Sequence, residues 1–183
     1  MRYSFFNKII GIVATVLLLF SCSSDLDFNQ VDELNVKPAF TTNLAYFPLE
    51  ANQFVINGVE QSAFSYVANV DFFDTAFVRD DLVRTDLYFR VKNTINRAYT
   101  YNITFLDANN APIHTIDMEI PAYNGAEIVV EKTEIFNSSN INILKNTTTI
   151  VFSILMLPGP PLTANSLGSV ELSSSITAYF DVK

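Results

Sequence analysis

His114 is the only histidine and Cys22 the only cysteine among the 183 residues, so the groups that most often move protons or hold metals are nearly absent. A Ser–His–Asp triad would have to be assembled around His114. That residue falls in register with Ile116, Met118 and Ile120, the apolar side of a predicted strand, where a ring packs at a strand end rather than shuttling protons. No Gly-x-Ser-x-Gly elbow, phosphate-cradling glycine loop or dinucleotide fingerprint occurs. Zinc sites draw on several His or Cys ligands, which this chain lacks. Calcium takes carboxylate oxygens, and Asp71, Asp74, Asp80 and Asp81 cluster in a predicted loop, but their spacing matches no EF-hand. A solvated acidic loop is the simpler reading, so no metal and no cofactor is expected. A glycosidase needs only two well-placed carboxylates, and any acidic chain offers such pairs. Tyr88 and Tyr179 alternate onto polar strand faces, where flat rings stack on sugars or on a protein partner, or simply form cross-strand pairs. The lack of tryptophan weakens the sugar reading.

Charge narrows the partners. The formal net charge is −8, and no basic stripe exists to release counterions from a polyphosphate backbone. Nucleic acid is therefore excluded as an expected partner.

Arg2 and Lys8 flank a short basic segment, and an apolar run from Ile9 to Phe20 follows, broken only by Gly11 and Thr15. A membrane-spanning helix needs about 20 predominantly apolar residues, and Ser21–Asp25 cut this run short. The pattern is that of a signal peptide over residues 1–21. Its end, Leu19-Phe20-Ser21-Cys22, resembles the lipobox of bacterial lipoproteins, and the resemblance implies cleavage before Cys22 and acylation of that cysteine. The mature chain would then carry nine Lys and Arg against nineteen Asp and Glu. Residues 22–37, acidic and without period, read as a lipidated tether, and residues 38–183 as one domain of a size that buries a core unaided.

Within that domain the hydrophobic period is two. Phe40, Thr42, Leu44 and Tyr46 form one face of a strand that Pro48 is expected to end. Val83, Leu87, Phe89 and Val91 alternate with Arg84, Asp86, Arg90 and Lys92, so one face is core and the other solvent. Tyr99, Tyr101, Ile103 and Phe105, then Asp107–Asn110, then Ile116, Met118 and Ile120 predict a hairpin. Ile128 and Val130 mark a further strand. The Asn-rich stretch to Lys145 suits one helical turn between sheets. Thr149–Leu157 is apolar on both faces, as in a central strand, and Val170–Val182 is the longest alternation. Residues 61–82 fit strand or helix, with strand favoured by the aromatics. Seven or so short strands predict an all-β, antiparallel two-sheet sandwich of immunoglobulin-like type.

The Cys22-Ser-Ser-Asp-Leu-Asp-Phe28 start, the segment Leu87–Arg97 and Phe105–Asn110 resemble surface lipoproteins of flavobacterial type, in the Bacteroidota. That likeness implies a lipid anchor in the outer membrane, exposure at the cell surface and a β-sandwich; it implies no activity. Asp74-Thr75-Ala76 resembles the short O-glycan acceptor motif of that phylum, with Thr75 carrying the sugar. The expected function is non-catalytic: a binding or scaffolding domain facing an envelope protein or glycan. The competing classes are a glycan-binding module and, less favoured, a carboxylate-based hydrolase.

Overall fold

The computed structural model describes residues Val36–Val182, so the signal segment and nearly all of the tether, Cys22 included, lie outside the described residues. Among the described residues ten strands follow in order: β1 (Ala39–Glu50), β2 (Val55–Ile56), β3 (Val59–Glu60), β4 (Ala63–Asn69), β5 (Leu82–Asn93), β6 (Tyr99–Leu106), β7 (Pro112–Ile120), β8 (Ile128–Phe136), β9 (Thr149–Met156) and β10 (Ser169–Phe180). Two short helices join them, α1 (Ala76–Asp81) between β4 and β5 and α2 (Ile141–Lys145) between β8 and β9.

Alternation builds these strands as the residue pattern requires. In β5, Leu87, Phe89 and Val91 are buried while Arg84, Asp86, Tyr88, Arg90 and Lys92 take the other face. In β10, Val170, Leu172, Ile176, Ala178 and Phe180 are buried in the same rhythm. The β6–β7 hairpin turns at Asp107, whose Oδ1 accepts from the backbone N–H of Asn109 (2.8 Å) and Ala111 (2.9 Å). Those two bonds hold its carboxyl below the usual carboxylate range.

Eight strands form two four-stranded antiparallel sheets. Sheet I has the order β1-β10-β5-β8 and sheet II the order β4-β9-β6-β7; β2 and β3 make a separate small hairpin. Between the sheets lies one core that includes Phe89, Leu172, Ile103, Phe105, Phe136 and Ile154. The antiparallel two-sheet sandwich is as expected. Its connectivity is finer than the immunoglobulin-like pattern, which sets four strands against three. With the small hairpin set aside, each sheet interleaves early and late strands, the order of two Greek keys wound into a jelly roll.

Three expectations about the strands are corrected. Pairing between β1 and β10 slips between Asn43 and Ala45, so Ala45, Phe47 and Leu49 continue the inward row and Tyr46 turns outward. Such a bulge adds one residue and flips every side chain beyond it. Pro48 does not end the strand, because β1 pairs only with β10 and an edge strand tolerates a missing donor. Val83 leaves the core row: Phe180 faces Leu82 while Tyr179 faces Arg84, which leaves Val83 bulged and exposed and brings Thr85 inside.

The acidic cluster is not a loop. Asp80 and Asp81 lie in α1, preceded by a 3-10 turn over Phe72–Asp74. Thr75 caps α1: its Oγ1 accepts from Val78 N–H (3.4 Å) and donates to the Phe72 carbonyl (3.2 Å), satisfying a backbone donor at the helix start. The preceding stretch to Asn69 is strand, so residues 61–82 hold both predicted conformations.

Candidate functional site

Strand pairing carries the candidate side chains to three places. His114 sits on β7, opposite Phe105, in the inward row of sheet II. Its ring packs against Phe105 and Phe136, with centroids 5.6 and 5.3 Å away. Its Nε2 lies 3.0 Å from Glu134 Oε1, on β8 of sheet I. The pair thus ties the edge strands of the two sheets together, and Lys132 Nζ, donating to the Asp117 carbonyl at 3.0 Å, makes a second tie. Charged side chains turned inward on an edge strand also block pairing with another chain. His114 is therefore a packing and clamping residue.

Tyr88 and Tyr179 share the outer face of sheet I, as alternation predicts. Tyr88 Oη donates to Glu131 (2.7 Å) and Tyr179 Oη to Asp86 (3.3 Å). The bond to Glu131 and partial desolvation push the Tyr88 hydroxyl pKa up. Arg84 lies over the Tyr179 ring at 5.3 Å and grips Asp86 with two nitrogens (2.7 and 2.9 Å). With Arg90 and Glu131 at 3.4 Å and Lys92 and Glu127 at 2.9 Å, this face is a lattice of internally paired charges.

Thr75 is exposed, but its hydroxyl already serves the cap of α1, so attachment of a sugar there would remove the hydrogen donated to Phe72. Among the described residues, no three His, Cys, Asp or Glu side chains are grouped to hold a metal ion. Among the same residues, no helix is long and apolar enough to cross a membrane.

The third place is an apolar cleft that residue patterns did not single out. It opens between β1 and β4, the free edges of the two sheets, opposite the side closed by His114 and Glu134. Phe47, Leu49, Phe64, Tyr66, Tyr101 and Phe152 line a hollow of about 240 Å³. Phe47 packs against Tyr66 (4.8 Å) and Phe152 (5.2 Å), while Tyr66, though in the inward row, stays 55% exposed. Finding this cleft needed the bulge at Asn43–Ala45, because only the shifted register turns Phe47 inward. A hollow with this apolar lining suits an apolar side chain.

Arg97 was also missed. It precedes β6 and its side chain is only 5% exposed. Nε donates to the Leu157 carbonyl (3.0 Å), and Nη1 donates to Glu60 Oε1 (2.9 Å) and the Pro160 carbonyl (2.6 Å). A Cβ on Gly159 would lie 2.9 Å from Arg97 Cδ, so a side chain there would push the guanidinium stem out of its present place. This is a structural anchor for the 157–168 loop.

No family model matches the chain, and no curated protein matches it. Solved structures with a similar arrangement include the VP2 subviral particle of infectious bursal disease virus, at 12% identity and TM-score 0.45, covering 79% of this chain and 33% of that one. A candidate secreted protein from Parabacteroides distasonis is 15% identical with TM-score 0.39, covering 63% of this chain and 38% of that one. The enzymatically active domain of tailspike protein 4 from bacteriophage CBA120 is 12% identical with TM-score 0.34, covering 80% and 19%. This chain therefore spans well under half of each of these proteins, and likeness at this level carries no argument about its activity.

Proposed function

We propose that the protein is a non-catalytic lipoprotein of the cell envelope, held by acyl chains on Cys22, whose jelly-roll domain binds or scaffolds an envelope protein or glycan. The observation that carries this reading is the division of labour in the domain. The lone histidine clamps one side of the sandwich, the Tyr88 and Tyr179 hydroxyls are bound to carboxylates, and an apolar cleft opens between two free strand edges. Such a surface supports recognition rather than nucleophilic or metal-assisted chemistry. The lipid anchor in this proposal rests on the Leu19–Cys22 motif, and the outer-membrane, surface-exposed location on the resemblance of the Cys22–Phe28 start, Leu87–Arg97 and Phe105–Asn110 to flavobacterial-type surface lipoproteins.

The test is a deletion strain complemented with Cys22→Ala or His114→Ala chains. Cys22→Ala should release the domain and fail, while His114→Ala should complement fully at matched abundance. Rescue by the unanchored chain together with loss by a folded His114→Ala chain would point to chemistry and overturn the reading.

A further inference from the structure

Large aromatic rings left in water need a reason when they gather in one place. Phe40 is 59% exposed, Phe72 47% and Phe77 46%. Phe40 meets Phe180 edge-on at 5.8 Å, and Phe77 stacks on the same ring at 4.5 Å. Phe72 stands on the 3-10 turn leading into the helix that carries Phe77. All three lie at the end of the sandwich formed by the start of β1, the end of β10 and α1.

The chain enters the domain at that same end. Val36 and Val182 bridge each other, with Val36 N–H donating to Val182 at 3.2 Å and Val182 N–H returning at 3.0 Å, only a few residues before Phe40. The fourteen residues from Cys22 to Val36 span at most about 50 Å even when fully extended. An acyl group on Cys22 therefore ties the domain to the lipid through this end and not through the 157–168 loop end.

We infer that Phe40, Phe72 and Phe77 seat the domain on the lipid surface to which Cys22 anchors it. The inference rests on the acylation of Cys22 put forward above. Rings of this type bury at the boundary between headgroups and acyl chains. The acidic Asp71 and Asp80 beside them, and the acidic chain as a whole, suit neutral headgroups and are repelled by anionic ones. Seating in this way turns the β2–β3 hairpin and the 157–168 loop away from the membrane.

The chain contains no tryptophan, so one introduced indole is a unique reporter. Full-length acylated protein carrying Phe77→Trp, Phe40→Trp or, at the far end, Leu167→Trp is bound to phosphatidylcholine vesicles with or without bromine on the acyl chains. At a depth of about 5–10 Å, the Phe77 and Phe40 reporters should lose on the order of half their emission to bromine. The Leu167 reporter, at a residue 89% exposed, should lose none. Phe72→Trp replaces either seat variant whose circular dichroism shows misfolding. Vesicles that float with the protein while all reporters behave alike overturn the seat and leave the anchor standing. Protein that does not float with the vesicles overturns both. Emission that depends on protein density but not on bromine shows contact between two copies and also overturns the seat.

Discussion

His114 of β7 and Glu134 of β8 meet at 3.0 Å across the gap between the sheets, joining two edge strands that share no backbone ladder. The contact is about three-quarters buried at both partners, with side-chain exposures of 24% and 25%. Removing one partner strands a polar group beside Phe105 and Phe136. The two residues should therefore be coupled in stability by about 1 kcal/mol in a double-mutant cycle of His114→Ala and Glu134→Ala. Urea unfolding of the four chains measures it. Additive losses would mean that the clamp contributes only ring packing.

The inward and outward rows of β5 offer a direct check of register. Phe89 is wholly buried, and Phe89→Ala should cost about 3–5 kcal/mol. Arg90 is on the outer face, paired with Glu131 at 3.4 Å with both side chains substantially exposed. Arg90→Ala should cost little in urea unfolding, about 0.5 kcal/mol or less. Equal losses at both positions would contradict the sandwich.

Alternation located β5, β6, β7 and β10 because each has one face on a common core, and a period of two is what such a face demands; β9 was legible only as an apolar run, and its outer row faces away from the core, with Leu155 exposed. The slips at Val83 and at Asn43–Ala45 left no such trace, since a bulge is one extra residue with no obligatory side chain. Everything beyond a slip inverts, which is why Tyr46 was expected inside and Phe47 was not, and why the cleft stayed hidden. Arg97, in an Asn-Arg-Ala loop, reads as solvated. Its burial depends on carbonyls at Leu157 and Pro160, about sixty residues away, and no local pattern carries that information.

Arg97 is predicted to be among the most sensitive polar positions. Its guanidinium joins Glu60 to three loop carbonyls, and Glu60 Oε1 also accepts from Leu162 N–H at 2.8 Å. Arg97→Met should cost about 3–5 kcal/mol, because it leaves a partly buried carboxylate and several carbonyls without a donor. Arg97→Lys should not restore stability, since a single ammonium lacks the planar fork. Limited proteolysis should then cut the 157–168 loop faster than in the parent chain. Parent-like resistance in Arg97→Met would show that the loop is held by its prolines alone.

Alkaline pH should unfold the domain through two tyrosines. Tyr99 and Tyr101 are buried, at 0% and 2% exposure. Burial is the main cause that pushes both hydroxyl pKa values far above the ordinary one; at Tyr99, nearby Arg97 opposes the shift and Glu60 adds to it. A raised folded-state value means that the folded chain holds its protons where the unfolded chain releases them. The stabilising effect is complete below about pH 10, the ordinary tyrosine value, and falls as pH rises above it. Each group contributes a slope of up to about 1.4 kcal/mol per pH unit in that range. Tyr99 Oη has no hydrogen-bond partner among the described residues, so Tyr99→Phe should be neutral or mildly stabilising near neutral pH. In the double variant Tyr99→Phe, Tyr101→Phe, urea midpoints should decline less steeply between pH 10 and pH 12 than in the parent. All other ionisable groups are the same in both chains, so the difference in slope isolates the two tyrosines. Identical slopes would show that these hydroxyls reach water before the domain unfolds.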